Sequence, residues 1–104
     1  MIPDPPAYLT EQQRGVWQQA ALAAAADRGW DTVRVQLLEA YTVERSRWLW
    51  AEGWLRENGE VLYLRDDKGS LKAVTAAPHV KIARDARANA IRLASLLGLV
   101  GGGG

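Results

Sequence analysis

The stretch from Thr32 to Glu57 constrains this chain more than any other feature. It reads as one long helix with more apolar surface than a small domain can bury. Asp31 stands where an N-cap is needed, and Asn58-Gly59 stands where a helix stops. At 100° per residue, Val33, Leu37, Ala40, Tyr41, Trp48, Ala51 and Leu55 share a narrow sector, which is expected to face the rest of the domain. Val43, Trp50 and Trp54 fall on a second sector, and Leu38 with Leu49 on a third. A domain of 104 residues buries only a little over half of its unfolded surface. Val43, Trp50, Trp54, Leu38 and Leu49 are therefore expected at contacts between subunits, where aromatic residues are favoured. The alternative is that the other helices of the same chain cover two of these sectors.

Helical patterns flank this segment. Pro3-Asp4-Pro5-Pro6 makes residues 1–9 an extended lead-in, since proline blocks helix and removes backbone donors. Thr10 then caps a first helix, Gln13 completes a capping box, and Glu11 suits the positive end of the helix dipole. That helix is predicted over about 11–28, with Val16, Trp17, Ala20, Ala21 and Ala24 as its apolar stripe and Gly29 as a left-handed stop. Val61–Arg65 and Ser70–Val74 read as a β-hairpin over about 61–74, turning through Asp66-Asp67-Lys68-Gly69. A lone hairpin is barely stable in water, so it has to lie on the helices or pair with a neighbouring subunit. A third helix is predicted over about 79–97, ended by Gly98, with Ile82, Ala83, Ala86, Ala90, Leu93 and Leu97 as its apolar face. The expected fold is mainly α: three helices, a hairpin between the second and third, and a single domain over 10–98. Residues 99–104 are expected to form a flexible glycine tail.

Much chemistry is absent. The chain has no cysteine, which removes disulfides, cysteine zinc sites and a thiol nucleophile, and fits a reducing cytoplasm. Its longest apolar run, Ala20 to Ala26, is too short to span a bilayer, and the first residues lack the regions of a signal peptide. A soluble intracellular protein is expected. There is no phosphate-binding loop and no G-x-G-x-x-G after a strand. His79 is the one histidine, and at the start of the third helix it reads as a capping or packing residue rather than a base. Asp66-Asp67 is turn chemistry, and Glu44, Glu52, Glu57 and Glu60 show no converging spacing. No catalytic residue, metal or cofactor is expected, and the chain does not read as an enzyme.

Charge is distributed unevenly. Through Glu52 there are five basic residues against seven acidic, a net of −2; from Gly53 onward eight against five, a net of +3. On the third helix Lys81, Arg84 and Arg92 project nearly opposite the apolar face, with Asp85 at the edge and Arg87 on the flank. These four cations are the candidates for contact with DNA phosphates, and an oligomer would multiply their effect. The plainer reading is that they solvate the outer side of an amphipathic helix.

The order of these features resembles a known family. Pro5-Pro6-Ala7-Tyr8-Leu9-Thr10-Glu11 leads into a helix carrying Trp17, and Asp27-Arg28-Gly29-Trp30-Asp31 marks its break. Leu37-Leu38-Glu39-Ala40-Tyr41 follows, the helix runs through Arg45 and Trp48 to Glu57-Asn58-Gly59, and the hairpin carries Gly69-Ser70-Leu71-Lys72. Ala77-Pro78-His79-Val80-Lys81-Ile82-Ala83-Arg84-Asp85-Ala86 then runs to Leu96-Leu97-Gly98-Leu99. Over roughly Pro5 to Leu99 the chain resembles the small terminase subunits of tailed phages and prophages, in the group that accompanies HNH-assisted cohesive-end packaging. It departs from that group at both ends, where members often carry a basic arm before the prolines and a Thr/Ser-containing end after the last Gly-Leu. The resemblance implies a non-catalytic, ring-forming homo-oligomer in the cytoplasm of a bacterial host. Such a ring recognises double-stranded viral DNA and delivers it to a large subunit carrying the ATPase and nuclease. The competing expectation is a helical assembly or adaptor protein that never touches DNA.

Overall fold

The computed structural model describes residues 2–24 and 29–99. Its elements are α1 (Glu11–Ala24), α2 (Thr32–Asn58), β1 (Val61–Arg65), β2 (Leu71–Ala76) and α3 (Pro78–Leu97). The mainly α fold with a hairpin between the second and third helices is as expected. The predicted continuation of α1 to Arg28 and the glycines beyond Val100 lie outside the described residues.

Local chemistry sets most of the element ends. The Thr10 hydroxyl accepts from the Gln13 amide at 3.2 Å while the Gln13 side chain accepts from the Thr10 amide at 2.9 Å, a reciprocal capping box. Asp31 caps α2 by accepting from the Arg34 amide at 2.8 Å. Gly98 is left-handed and closes α3, with the Leu99 amide donating to the Ala94 carbonyl. In the hairpin turn the Asp66 carboxylate accepts from the Lys68 and Ser70 amides, and Gly69 supplies the positive φ.

The helix stop expected at Gly29 follows the residues 25–28, which lie outside the described ones. The buried guanidinium of Arg34, in the first turn of α2, donates from Nη2 to the Ala24 carbonyl at 2.8 Å and from Nη1 to the Gly29 carbonyl at 3.1 Å. Nη2 also reaches the Leu97 carbonyl at the end of α3, 3.2 Å away. One cation therefore ties the Ala24 carbonyl of α1 and the Gly29 carbonyl before α2 to the negative end of α3. Its flat face lies 4.5 Å from the centre of the Trp30 ring.

Around this tie sits the apolar core: Leu9, Trp17, Ala20, Ala21, Ala24, Leu38 and Leu97, flanked by Ile2, Trp30, Val35, Leu37, Tyr41 and Leu99. The proline-rich lead-in belongs to it. The Trp17 indole donates to the Pro3 carbonyl at 3.0 Å, Arg14 donates to the carbonyls of Leu9 and Ala7, and the Tyr8 hydroxyl bonds to Glu39 of α2.

Away from that core, α2 packs against α3 through small residues. The buried stripe of α3 is Ala83, Ala86, Ala90, Ala94 and Leu97. The buried residues of α2 are Arg34, Leu38, Thr42, Ser46 and Ala51. This corrects the sector expected from apolarity: only Ala51 of that set is buried, and Val33 is 63% exposed. The reason is steric. An alanine face lets another helix approach closely, and short side chains such as Thr42 and Ser46 occupy the closest approach. The Thr42 hydroxyl is satisfied by the Leu38 carbonyl at 2.8 Å, while Ser46 Oγ is buried without a partner among the described residues.

The hairpin is antiparallel, with Val61 opposite Ala76 and Tyr63 opposite Val74, and a register shift between Leu64 and Arg65. It does not lie on the helices: every residue of β1 except Leu62 is exposed, as is all of β2. The molecule is long and thin, 62 × 32 × 19 Å, with the core at one end and the hairpin projecting at the other.

Two sets of variants test this account by urea denaturation. Arg34→Ala is expected to cost on the order of 3 kcal/mol, because it strands buried carbonyls, and Arg34→Lys to recover only part of that. A loss below about 0.5 kcal/mol would remove the tie from the account. Ala90→Leu should cost about 1–3 kcal/mol by forcing α2 and α3 apart, whereas Ser46→Ala should be neutral or stabilising.

Candidate nucleic-acid interface

The alanine stripe that seats α3 on α2 also fixes which side of α3 faces outward. Lys81, Arg84, Arg87 and Arg92 are all exposed on this helix. They do not form four equivalent free cations. The Lys81 ammonium lies 2.6 Å from the Asp85 carboxylate, and Arg84 Nε is 3.8 Å from the other oxygen of the same group. The Lys81 hydrogen bond holds the Asp85 carboxyl below its ordinary range, with Arg84 adding to the effect, so Asp85 stays ionised and offsets part of the basic face. Arg92 donates to the Asn89 side chain at 3.4 Å.

Arg87 points to the flank, where a groove of about 590 Å³ runs between α2 and α3. Arg84 and Arg87 line it from α3, Glu52 and Arg56 from the last turns of α2, and Glu60 from the start of the hairpin. Leu55, Val80 and Ala83 supply its apolar surface. Arg56 was not singled out from sequence, because on α2 alone it is a single cation beside Glu57. Its relevance arises when α3 is folded back alongside.

The residues expected at subunit contacts separate in the fold. Leu38 is fully buried in the core of its own subunit, so it is unavailable to a neighbour. Its sector coincides with the side of α2 that α1 and α3 cover. Leu49 is half-buried beside Val16, Ala20, Tyr41 and Leu99, and Val43 is half-buried. Trp54 stacks on His79, with ring centres 3.8 Å apart and planes 5° apart, and Trp50 approaches the same imidazole at 4.9 Å. Trp50 remains 54% exposed. His79 is therefore a packing residue. The N-cap position of α3 is Ala77, which makes no side-chain cap, and the Nδ1 of His79 is buried without a partner among the described residues.

The largest surplus of exposed apolar side chains lies on the hairpin: Val61, Tyr63, Leu64, Leu71 and Val74. Sequence reasoning left the hairpin's place open, since its strands alternate in neither of the two ways that would mark one covered face. Among the described residues, no group of acidic or histidine side chains is placed to hold a metal ion, and no helix is long and apolar enough to cross a membrane.

No protein-family model matches the chain, and no curated protein or solved structure does so either.

The geometry around Asp85 yields a direct test. Asp85→Asn releases Lys81 and Arg84, so it should tighten binding to duplex DNA severalfold and steepen the dependence on salt, read by fluorescence anisotropy. Unchanged affinity would mean that this side of α3 does not meet DNA.

Proposed function

We propose that this chain is a non-catalytic, DNA-recognising subunit of a homo-oligomer, of the kind that small terminase subunits form in phage genome packaging. In that role it gathers double-stranded viral DNA in the host cytoplasm and presents it to the large subunit that carries the ATPase and nuclease. The observation that carries the DNA part is the exposed set Lys81, Arg84, Arg87 and Arg92 on one helix, backed by Arg56 across the groove. A rigid helix seated on an alanine seam holds these cations at fixed spacing, which suits contact with a regular phosphate backbone. Specificity then arises from the symmetry of the assembly and the deformability of the DNA more than from base contacts.

The oligomer part is supported by surfaces that one chain leaves uncovered. A two-stranded hairpin with apolar residues exposed on both faces is marginal in water and has unpaired edges. A neighbouring copy covers it most simply, and exposed Trp50 lies near its base, beside His79. The same apolar hairpin favours the second reading, an adaptor that binds another protein and leaves DNA alone.

Light scattering and a DNA mobility shift separate the two. The expected result is a discrete multi-subunit mass at low and moderate salt, with retarded duplex DNA that is released as salt rises from about 50 to 200 mM. Arg84→Ala/Arg92→Ala should lower the affinity at least tenfold without changing the mass. An assembly that ignores DNA at both salts would favour the adaptor, and a monomer that ignores DNA would overturn the proposal.

A further inference from the structure

The groove between α2 and α3 has a composition that a solvated helix face does not need. Three guanidinium-bearing residues, Arg56, Arg84 and Arg87, line one concave site from two helices. Among the described residues neither Arg56 nor Arg87 makes an ion pair, although Glu52 and Glu60 line the same groove. Among the described residues the one carboxylate that pairs with Arg84 is Asp85, which is already engaged by Lys81. Three cations beside two carboxylates that pair with none of them leave an excess of like charge, and an anion bound among them relieves the repulsion. The apolar side chains of Leu55, Val80 and Ala83 reduce local screening and strengthen the attraction.

Two local features support the arrangement. A Cβ at Gly53 would come within 3.8 Å of Arg56 Nη2, so the Arg56 guanidinium lies back along α2 over bare backbone. Val80, in the first turn of α3, lines the groove, and that turn has no acidic residue and no side-chain cap to offset the positive end of the helix dipole.

We infer that this groove is a phosphate-binding site for a nucleic-acid backbone, held by Arg56 and Arg87 with Arg84 at its mouth. The inference rests on the DNA reading above and adds a particular site to it. Guanidinium forks match phosphate oxygens in a bidentate manner, which ammonium groups do not. Arg84 belongs both to the groove and to the α3 face that carries Lys81, so a strand crossing that face reaches the groove without a break. This continuity selects a polymer backbone over a free metabolite. Glu52 and Glu60 set the affinity: they keep the empty groove from carrying its full positive charge and weaken any anion bound there.

Fluorescence anisotropy with a labelled duplex, over a series of salt concentrations, tests the site, alongside amide NMR with inorganic phosphate as probe. Arg56→Ala and Arg87→Ala should each weaken DNA about five- to tenfold and lower the salt slope by about one. Glu52→Gln should tighten binding two- to fivefold, a gain that simple loss of structure cannot produce. Inorganic phosphate should shift the amides of Gly59, Val80 and Ala83 in the unaltered protein and not in Arg56→Ala. If the protein binds DNA but both arginine variants match it in affinity and slope, the groove is overturned and the DNA reading survives. If the unaltered protein binds no DNA, both fall together. Equal binding of an acidic peptide that competes with DNA for the groove would also overturn the assignment, marking the site as one for a protein partner.

Discussion

The guanidinium of Arg34 is the point on which the rest of this small fold depends. A chain of three helices has three C-terminal ends, each with carbonyls that lack helical partners. The Ala24 carbonyl of α1 and the Leu97 carbonyl at the end of α3 meet at the first turn of α2 and share one cation there. Gly98 closes α3 by its own backbone, and Arg34 Nη1 holds the Gly29 carbonyl just before α2. The Arg34 amide is held by Asp31, so the residue that starts α2 also fixes the backbone from which the tie extends. Apolar packing of Trp17, Leu38 and Leu97 surrounds the arrangement and keeps water from competing with it.

Confining the core to one end has consequences for the other. Beyond the Arg34 cluster, α2 and α3 meet through alanine, serine and threonine, a seam that contributes close contact and little hydrophobic mass. Two helices joined in this way stay parallel to one long axis and leave their large side chains outside the seam. Tryptophans that a thicker domain would bury are instead stacked against His79 or left in solvent, and the hairpin extends past the helices altogether. The length of the molecule, its exposed aromatic residues and its uncovered strands thus share one cause, the thinness of the α2–α3 seam.

Electrostatics follow the same geometry. Packing α3 by its alanines leaves its charged side on the surface, and folding it back along α2 brings Arg87 and Arg84 beside Arg56 and Glu52. Charge that is scattered in sequence becomes local in space, part of it already offset by Asp85 and part of it unpaired in the groove. A surface of this kind discriminates by where its unpaired cations stand more than by net charge, which is close to zero for the whole chain.

The sequence by itself determined the elements and their ends, because these rest on interactions within a few residues. The Thr10–Gln13 box, the Asp31 cap, the Asp66–Gly69 turn and Gly98 all act locally, and all were legible. Apolar periodicity also identified the buried sides of α1 and α3. It misjudged α2, whose buried stripe contains Arg34, Thr42 and Ser46, because there close approach to an alanine-lined neighbour favours short side chains over large apolar ones. Only the tertiary structure decided that Leu38 lies inside, that Trp54 stacks on His79, and that Arg56 joins the cations of α3. Each of those depends on residues between about 20 and 60 positions apart being brought together, and no local pattern records which pairs will meet.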